Sequence, residues 1–277
     1  MAVRCVVLDF DGTFTDVETE SAPFRAYFQS LMADLLGRDL RAEWEREERR
    51  IVERPEVHGW EFDGRVVAPS TADPYLLTTA TVQGIFDAGA LLRNPLLRTA
   101  ISQTLYGLAY ERTLTAFKPD ARETLERLVA VGLPVYVVTN SRTDVVSHKL
   151  DQLGLTQRAR VKVMGEAKKF WVTPSTRPAA QFAMLPEFEA APIARPVYLR
   201  RGRYYDALAA IWEATNTLPE ETLVCGDIYE LDLALPAALG CKVALTESKR
   251  TLEFERALTR RHNGHVLGAL SELLTLV

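Results

Sequence analysis

The apolar run Val3–Leu8, ended by Asp9-Phe10-Asp11-Gly12-Thr13, constrains this chain more than any other stretch. An apolar run of that length, interrupted only by Arg4, reads as a strand buried on both faces. Residues two apart on an extended strand point the same way, so Asp9 and Asp11 can face one cavity at the strand's carboxyl end. Open parallel α/β sheets bind ligands at that end. Two carboxylates there call for a cation, and oxygen donors of this kind suit Mg²⁺. Gly12 allows a sharp turn and a close approach of substrate. Taken alone, an Asp-x-Asp-Gly is also an ordinary polar turn, so the remainder of the chain decides its meaning.

After Thr13 the pattern changes. Phe24, Tyr27, Phe28, Leu31, Met32 and Leu35 recur at three and four residues, the stripe of an amphipathic helix, with Ser21 as its expected cap. The Glu/Arg-rich stretch from Arg41 to Arg54 continues it or forms a second helix with a solvated face. Pro55, Gly59, Gly64 and Pro69 read as loop. Residues 74–92 and 95–111 read as two more helices, the second opened by Asn94-Pro95. No strand of real length is expected between residues 14 and 117.

From Phe117 an α/β alternation resumes. Expected helices are Asp120–Val131, Arg142–Leu153, Tyr204–Ala214, Asp232–Leu239 and Val266–Leu274. Expected strands are Val135–Val138, Val161–Val163, Val197–Leu199, Leu223–Cys225 and Lys242–Leu245. Residues 171–196, with Pro174, Pro178, Pro186, Pro192 and Pro196, read as irregular, anchored by Phe182, Met184, Leu185 and Phe188. Strands alternating with helices imply a parallel sheet covered on both faces.

Composition narrows the function classes. A net charge of -4 with no strongly basic region argues against a dedicated nucleic-acid or membrane-surface role. No apolar run approaches the roughly 20 residues of a membrane helix. The amino terminus lacks a signal-peptide layout, and cleavage there would remove the Asp9 site, so a cytoplasmic location is expected. Cys5, Cys225 and Cys241 fall in apolar strand-like runs and read as buried thiols.

Two further strand ends complete a pattern. Thr139-Asn140 follows the strand Val135–Val138, and Gly226-Asp227 follows Leu223–Cys225. With Asp9-Phe10-Asp11-Gly12-Thr13 these segments, in this order and spacing, resemble the haloacid dehalogenase superfamily, whose first motif is Asp-x-Asp-x-Thr/Val. The resemblance implies a fold of the α/β class: a Rossmann-like parallel sheet core with helices on both faces, plus an inserted all-helical cap domain. The core would be residues 1–15 and 117–277, and the cap residues 16–116. In the superfamily such a cap covers the site and selects the substrate. The alternative is that these helices only extend the core.

The resemblance also implies roles. Asp9 would be the nucleophile that takes up the phosphoryl group, and Asp11 the general acid and then base. An acid at this second position separates phosphatase-like members from the dehalogenases, which lack it. Gly12, Thr139 and Asn140 would bind phosphate. Mg²⁺ would be held by Asp9, Asp11, Asp227 and Asp232, with Asp232 acting through water; Glu230 is the alternative second acid. The family's third-motif lysine has no obvious counterpart. Arg201 fits best, in a catalytic and phosphate-binding role, then Arg203; Lys168 or Lys169 folding back is the other solution.

The implied activity is a Mg²⁺-dependent phosphatase acting on a small phosphorylated metabolite, with no nucleic-acid or membrane partner. A phosphomutase is the second enzyme reading. A catalytically weak phosphometabolite-binding or regulatory protein is the third, motivated by the missing lysine. A homodimer through the proline-rich stretch or the cap helices is compatible with the chain but specified by no residue pattern. Arg25, Tyr27 and His58 are cap positions where selectivity could arise.

Overall fold

A computed structural model describes residues 2–177 and 179–277; Pro178 of the proline-rich stretch lies outside the described residues. The chain divides into two compact units, residues 1–15 with 117–277 and residues 16–116. In chain order the elements are β1 (Cys5–Leu8), α1 (Val17–Leu36), α2 (Arg41–Glu53), β2 (Gly59–Phe62), β3 (Arg65–Pro69), α3 (Pro74–Ala88) and α4 (Pro95–Tyr110). There follow α5 (Ala121–Ala130), β4 (Val135–Val138), α6 (Thr143–Gln152), β5 (Val161–Met164), α7 (Ala180–Met184), β6 (Phe188–Ala190) and β7 (Pro196–Tyr198). The last are α8 (Gly202–Thr215), β8 (Thr222–Gly226), α9 (Ala234–Ala238), β9 (Lys242–Thr246), α10 (Glu253–Arg261) and β10 (His265–Leu267).

Six strands form one parallel sheet in the order β10-β9-β8-β1-β4-β5. The side-chain alternation of a strand divides its core in two. Cys5 and Val7 of β1 pack with Tyr136, Val138 and Val224 under α8, α9 and α10. Val6 and Leu8 pack on the opposite face with Val135, Val137, Leu223 and Cys225 under α5 and α6. Each fully buried Val or Leu contributes about 1.5–3 kcal/mol, and Cys5–Leu8 are all buried. The three cysteines are buried free thiols. No helix among the described residues is long and apolar enough to cross a membrane.

Register matters for the site. Leu8 lies opposite both Val137 of β4 and Cys225 of β8. The carboxyl ends of these three strands therefore sit side by side, about 4.8 Å apart, and the residues that follow them must meet.

Several boundaries differ from the sequence expectation. The inserted unit is helical but carries an antiparallel hairpin, β2–β3, where a loop was expected. Its turn is Asp63-Gly64, both in the left-handed region at φ 49° and 71°. Asp16, not Ser21, caps α1, accepting from the Thr19 N–H; Ser21 lies inside the helix. Left-handed Gly37 separates α1 from α2. Val197 lies in a second hairpin, β6–β7, outside the main sheet. Phe182 and Leu185 anchor the proline-rich stretch, whereas Met184 is 78% exposed and Phe188 48%. Residues 229–233 form a π turn, so the following helix is only α9. The tail is β10 and a 3₁₀ turn at Leu270–Thr275.

Candidate active site

Asp9, Thr139 and Asp227 follow the central strands β1, β4 and β8 directly, and all three are buried. The Asp9 N–H donates to the Cys225 carbonyl (2.8 Å), continuing the β1–β8 ladder to the site itself. Two glycines make room for carboxylates. Gly12 has φ 79°, and a Cβ there would overlap the Asp227 carboxylate. A Cβ on Gly226 would overlap the Asp232 side chain. Gly12→Ala therefore combines backbone strain of about 1–3 kcal/mol with displacement of Asp227. We expect kcat/KM to fall about 10²-fold, the cost of an ångström-scale misplacement of a catalytic group, in steady-state assays of the folded variant.

Asp9, Asp227 and Asp232 form a buried trio in which one carboxylate oxygen from each lies within 4.8 Å of the others. The Lys169 ammonium joins it, 2.6 Å from Asp9 Oδ1 and 2.8 Å from Asp232 Oδ1. Tyr204 supports both partners: its hydroxyl donates to the Asp232 carbonyl at 2.8 Å, and its ring lies 5.3 Å from the ammonium.

Lys169 reaches this position because the segment after β5 is tied to the turn after β4. Ala167 N–H donates to Thr139 O (2.9 Å) and Glu166 N–H to Ser141 O (2.9 Å). Gly165 N–H donates to Thr143 Oγ1 (3.0 Å), and Lys169 N–H to Asn140 Oδ1 (2.7 Å). Glu166 and Lys168 take left-handed φ values of 54° and 46°, unusual for non-glycine residues, and these twists turn Lys169 inward.

Lys169, not Arg201, is thus the cation that meets Asp9. The Arg201 guanidinium is buried and donates to the carbonyls of Tyr198 (2.9 Å) and Lys169 (2.7 Å). It buttresses the loop rather than meeting Asp9. Burial pulls it down to about 10, against the pull of Glu230 and Asp232. Arg203 is exposed on α8. Glu230 is buried in an ion pair with Arg195, Oε2 lying 2.8 Å from Nη1, and it is Asp232, not Glu230, that groups with Asp9 and Asp227. The Asp11 carboxylate stands outside the trio: it accepts from Ser141 Oγ at 2.6 Å, with Lys149 Nζ 3.8 Å away. The trio supplies three carboxylate donors, and the fourth expected metal ligand, Asp11, is engaged elsewhere. Asn140 spends its side-chain oxygen on the Lys169 N–H, and Thr139 Oγ1 accepts from the Ser141 N–H at 3.1 Å.

Electrostatics favour a cation here. Burial pushes the Asp9 carboxyl up to about 8; Lys169 opposes this, while Asp232 and Asp11 add to it. Lys169 is held above its usual range: burial works against its charge, but Asp232 and Asp9 outweigh it. One ammonium against three buried carboxylates leaves an excess of negative charge, and all the donors are hard oxygens. That donor set fits Mg²⁺.

The haloacid dehalogenase-like hydrolase family model matches residues 3–240. A ribulose-1,5-bisphosphate 5-phosphatase from Halopiger xanaduensis is 31% identical over 163 residues, 57% of this chain and 56% of that protein. The chain thus spans little more than half the length of that relative. A solved structure of a predicted phosphoglycolate phosphatase from Haemophilus somnus superposes with a TM-score of 0.59 at 14% identity, covering 99% of this chain and 97% of that one. A haloacid dehalogenase family hydrolase from Deinococcus radiodurans gives 0.51 at 18%, covering 98% and 93%. The two structures establish the fold; the family model, matching most of the sequence, establishes kinship, and the chain belongs to the haloacid dehalogenase-like hydrolases.

Proposed function

We propose that the protein is a Mg²⁺-dependent phosphatase of a small phosphorylated metabolite. The observation that carries this reading is the buried Asp9 carboxylate, ion-paired to Lys169 within the carboxylate trio, with Asp11 two residues on but held apart. A carboxylate in that place is suited to attack phosphorus. Asp9 forms a bond to phosphorus as the bond from phosphorus to the leaving oxygen breaks. Asp11 gives its proton to that oxygen. Asp11, now ionised, takes a proton from water as the water oxygen attacks the aspartyl-phosphate, releasing inorganic phosphate and restoring Asp9. Thr139 Oγ and the Lys169 ammonium bind phosphoryl oxygens. Mg²⁺ held by Asp9, Asp227 and Asp232 would supply the charge that offsets carboxylates and phosphate.

Residues 16–116 act as the cap that selects the substrate. The likeness to the Halopiger enzyme makes a phosphorylated sugar the first substrate class to try. Lys169 beside Asp9 removes the observation that motivated a catalytically weak binding protein. The test is phosphate release from p-nitrophenyl phosphate and a panel of sugar phosphates including ribulose 1,5-bisphosphate. Release should require Mg²⁺ and stop on chelation. Turnover unaffected by chelation contradicts the metal assignment, and an isomer in place of inorganic phosphate makes the protein a mutase.

A further inference from the structure

Both carboxylate oxygens of Asp11 are engaged by one neighbouring segment, the turn after β4 and the helix it opens. Ser141 Oγ donates to Oδ2 at 2.6 Å, a short, strong hydrogen bond. Lys149 Nζ stands 3.8 Å from Oδ1, a charge contact rather than a hydrogen bond. Lys149 is buried on α6, its ammonium also 5.8 Å from the ring centre of Phe10.

The Ser141 hydroxyl is aimed by its main chain. The Ser141 N–H donates to Thr139 Oγ1 at 3.1 Å, and its carbonyl accepts from the Glu166 N–H at 2.9 Å. Gly165 packs so closely on that carbonyl and on Thr143 that a side chain there would not fit. The serine is thus pinned from both sides, while the carboxyl it holds is part-exposed and would otherwise rotate.

We infer that Ser141 is a positioning residue for proton delivery: its hydroxyl fixes the plane of the Asp11 carboxyl, with Lys149 steadying the other oxygen. This rests on the phosphatase reading of Asp11. The turn that carries Thr139 then also sets the angle at which the leaving oxygen receives its proton.

The leaving group reports this role. An alkoxide needs a proton as the phosphorus–oxygen bond breaks, whereas p-nitrophenolate departs without one. The quantity kcat/KM covers steps through departure of the leaving group, so it isolates the proton transfer from later hydrolysis. General acid catalysis contributes 10²–10⁴-fold, and a misaligned acid forfeits part of it. We expect Ser141→Ala to lose about 10–100-fold in kcat/KM on a primary alkyl phosphate but at most about threefold on p-nitrophenyl phosphate. Ser141→Thr, which keeps the hydroxyl, should recover most of the alkyl rate. Asp11→Asn should show the same selectivity, more strongly. Equal losses on the two substrates in Ser141→Ala overturn the inference and leave the phosphatase reading intact. If Asp9→Asn turns over either substrate at the wild-type rate, the Asp9–Asp11 mechanism fails and the inference with it; if the unaltered protein releases phosphate from neither substrate, the phosphatase reading itself fails.

Discussion

Asp9→Asn is expected to lose at least about 10⁴-fold in phosphate release, the scale seen when a covalent nucleophile is removed. The substitution keeps size and shape, so the packing under β1 should survive. It removes one negative charge from a site where three carboxylates face a single ammonium. Burial already disfavours the ionised form of Asp9, Lys169 keeps Asp232 as a partner, and losing one of three crowded carboxylates relieves like-charge repulsion. The metal-free variant should therefore melt no lower than the wild type. Steady-state kinetics beside thermal denaturation separate the two outcomes: a folded, inactive variant supports the assignment, and a folded, active one contradicts it.

Lys169→Met is the second large effect, and it reaches stability as well as rate. The ammonium is almost completely buried and touches two carboxylates at 2.6 and 2.8 Å. Breaking a buried pair from one side leaves uncompensated charge and costs about 3–5 kcal/mol. We expect the metal-free variant to lose stability on that scale in chemical denaturation, and Mg²⁺ to restore part of it. Removing a group aimed at developing phosphoryl charge costs about 10²–10³-fold in kcat. Lys169→Arg should rescue poorly. A planar guanidinium needs more room and offers a fork rather than a point charge, and the cavity between Asp9, Asp232 and the Tyr204 ring is filled by the ammonium. Full activity in Lys169→Arg would sink the account of this position.

The acids at the strand ends were legible because strand periodicity and neighbouring register carry them. Asp9, Thr139 and Asp227 each follow a buried apolar run, and the parallel order β8-β1-β4 brings them together. Lys169 was only one of several options. Its place depends on two left-handed residues and on hydrogen bonds to residues 139–143, none visible as periodicity. Arg201 was favoured because it opens a helix at the right distance before the acidic strand, yet its guanidinium turns to main-chain carbonyls. Lys149 gave no signal, since a lysine on a helix resembles any surface lysine until the helix is packed. The hairpin β2–β3 did carry one: Asp-Gly between short runs with aromatic and β-branched residues is a strong turn signature. In the tail, leucines three and four apart resembled a helix, where the chain instead pairs β10 with β9 and closes with a 3₁₀ turn.

Everything in the catalytic account depends on Asp9 carrying the phosphoryl group. Rapid quench of the turning-over enzyme into sodium borohydride, followed by mass spectrometry, reads this at a single residue. An acyl phosphate on Asp9 is reduced to homoserine at that position. Homoserine at residue 9, present only with substrate and Mg²⁺ and absent in Asp9→Asn, is the expected result. Robust turnover with no modification at residue 9, or with the modification at another acid, contradicts it.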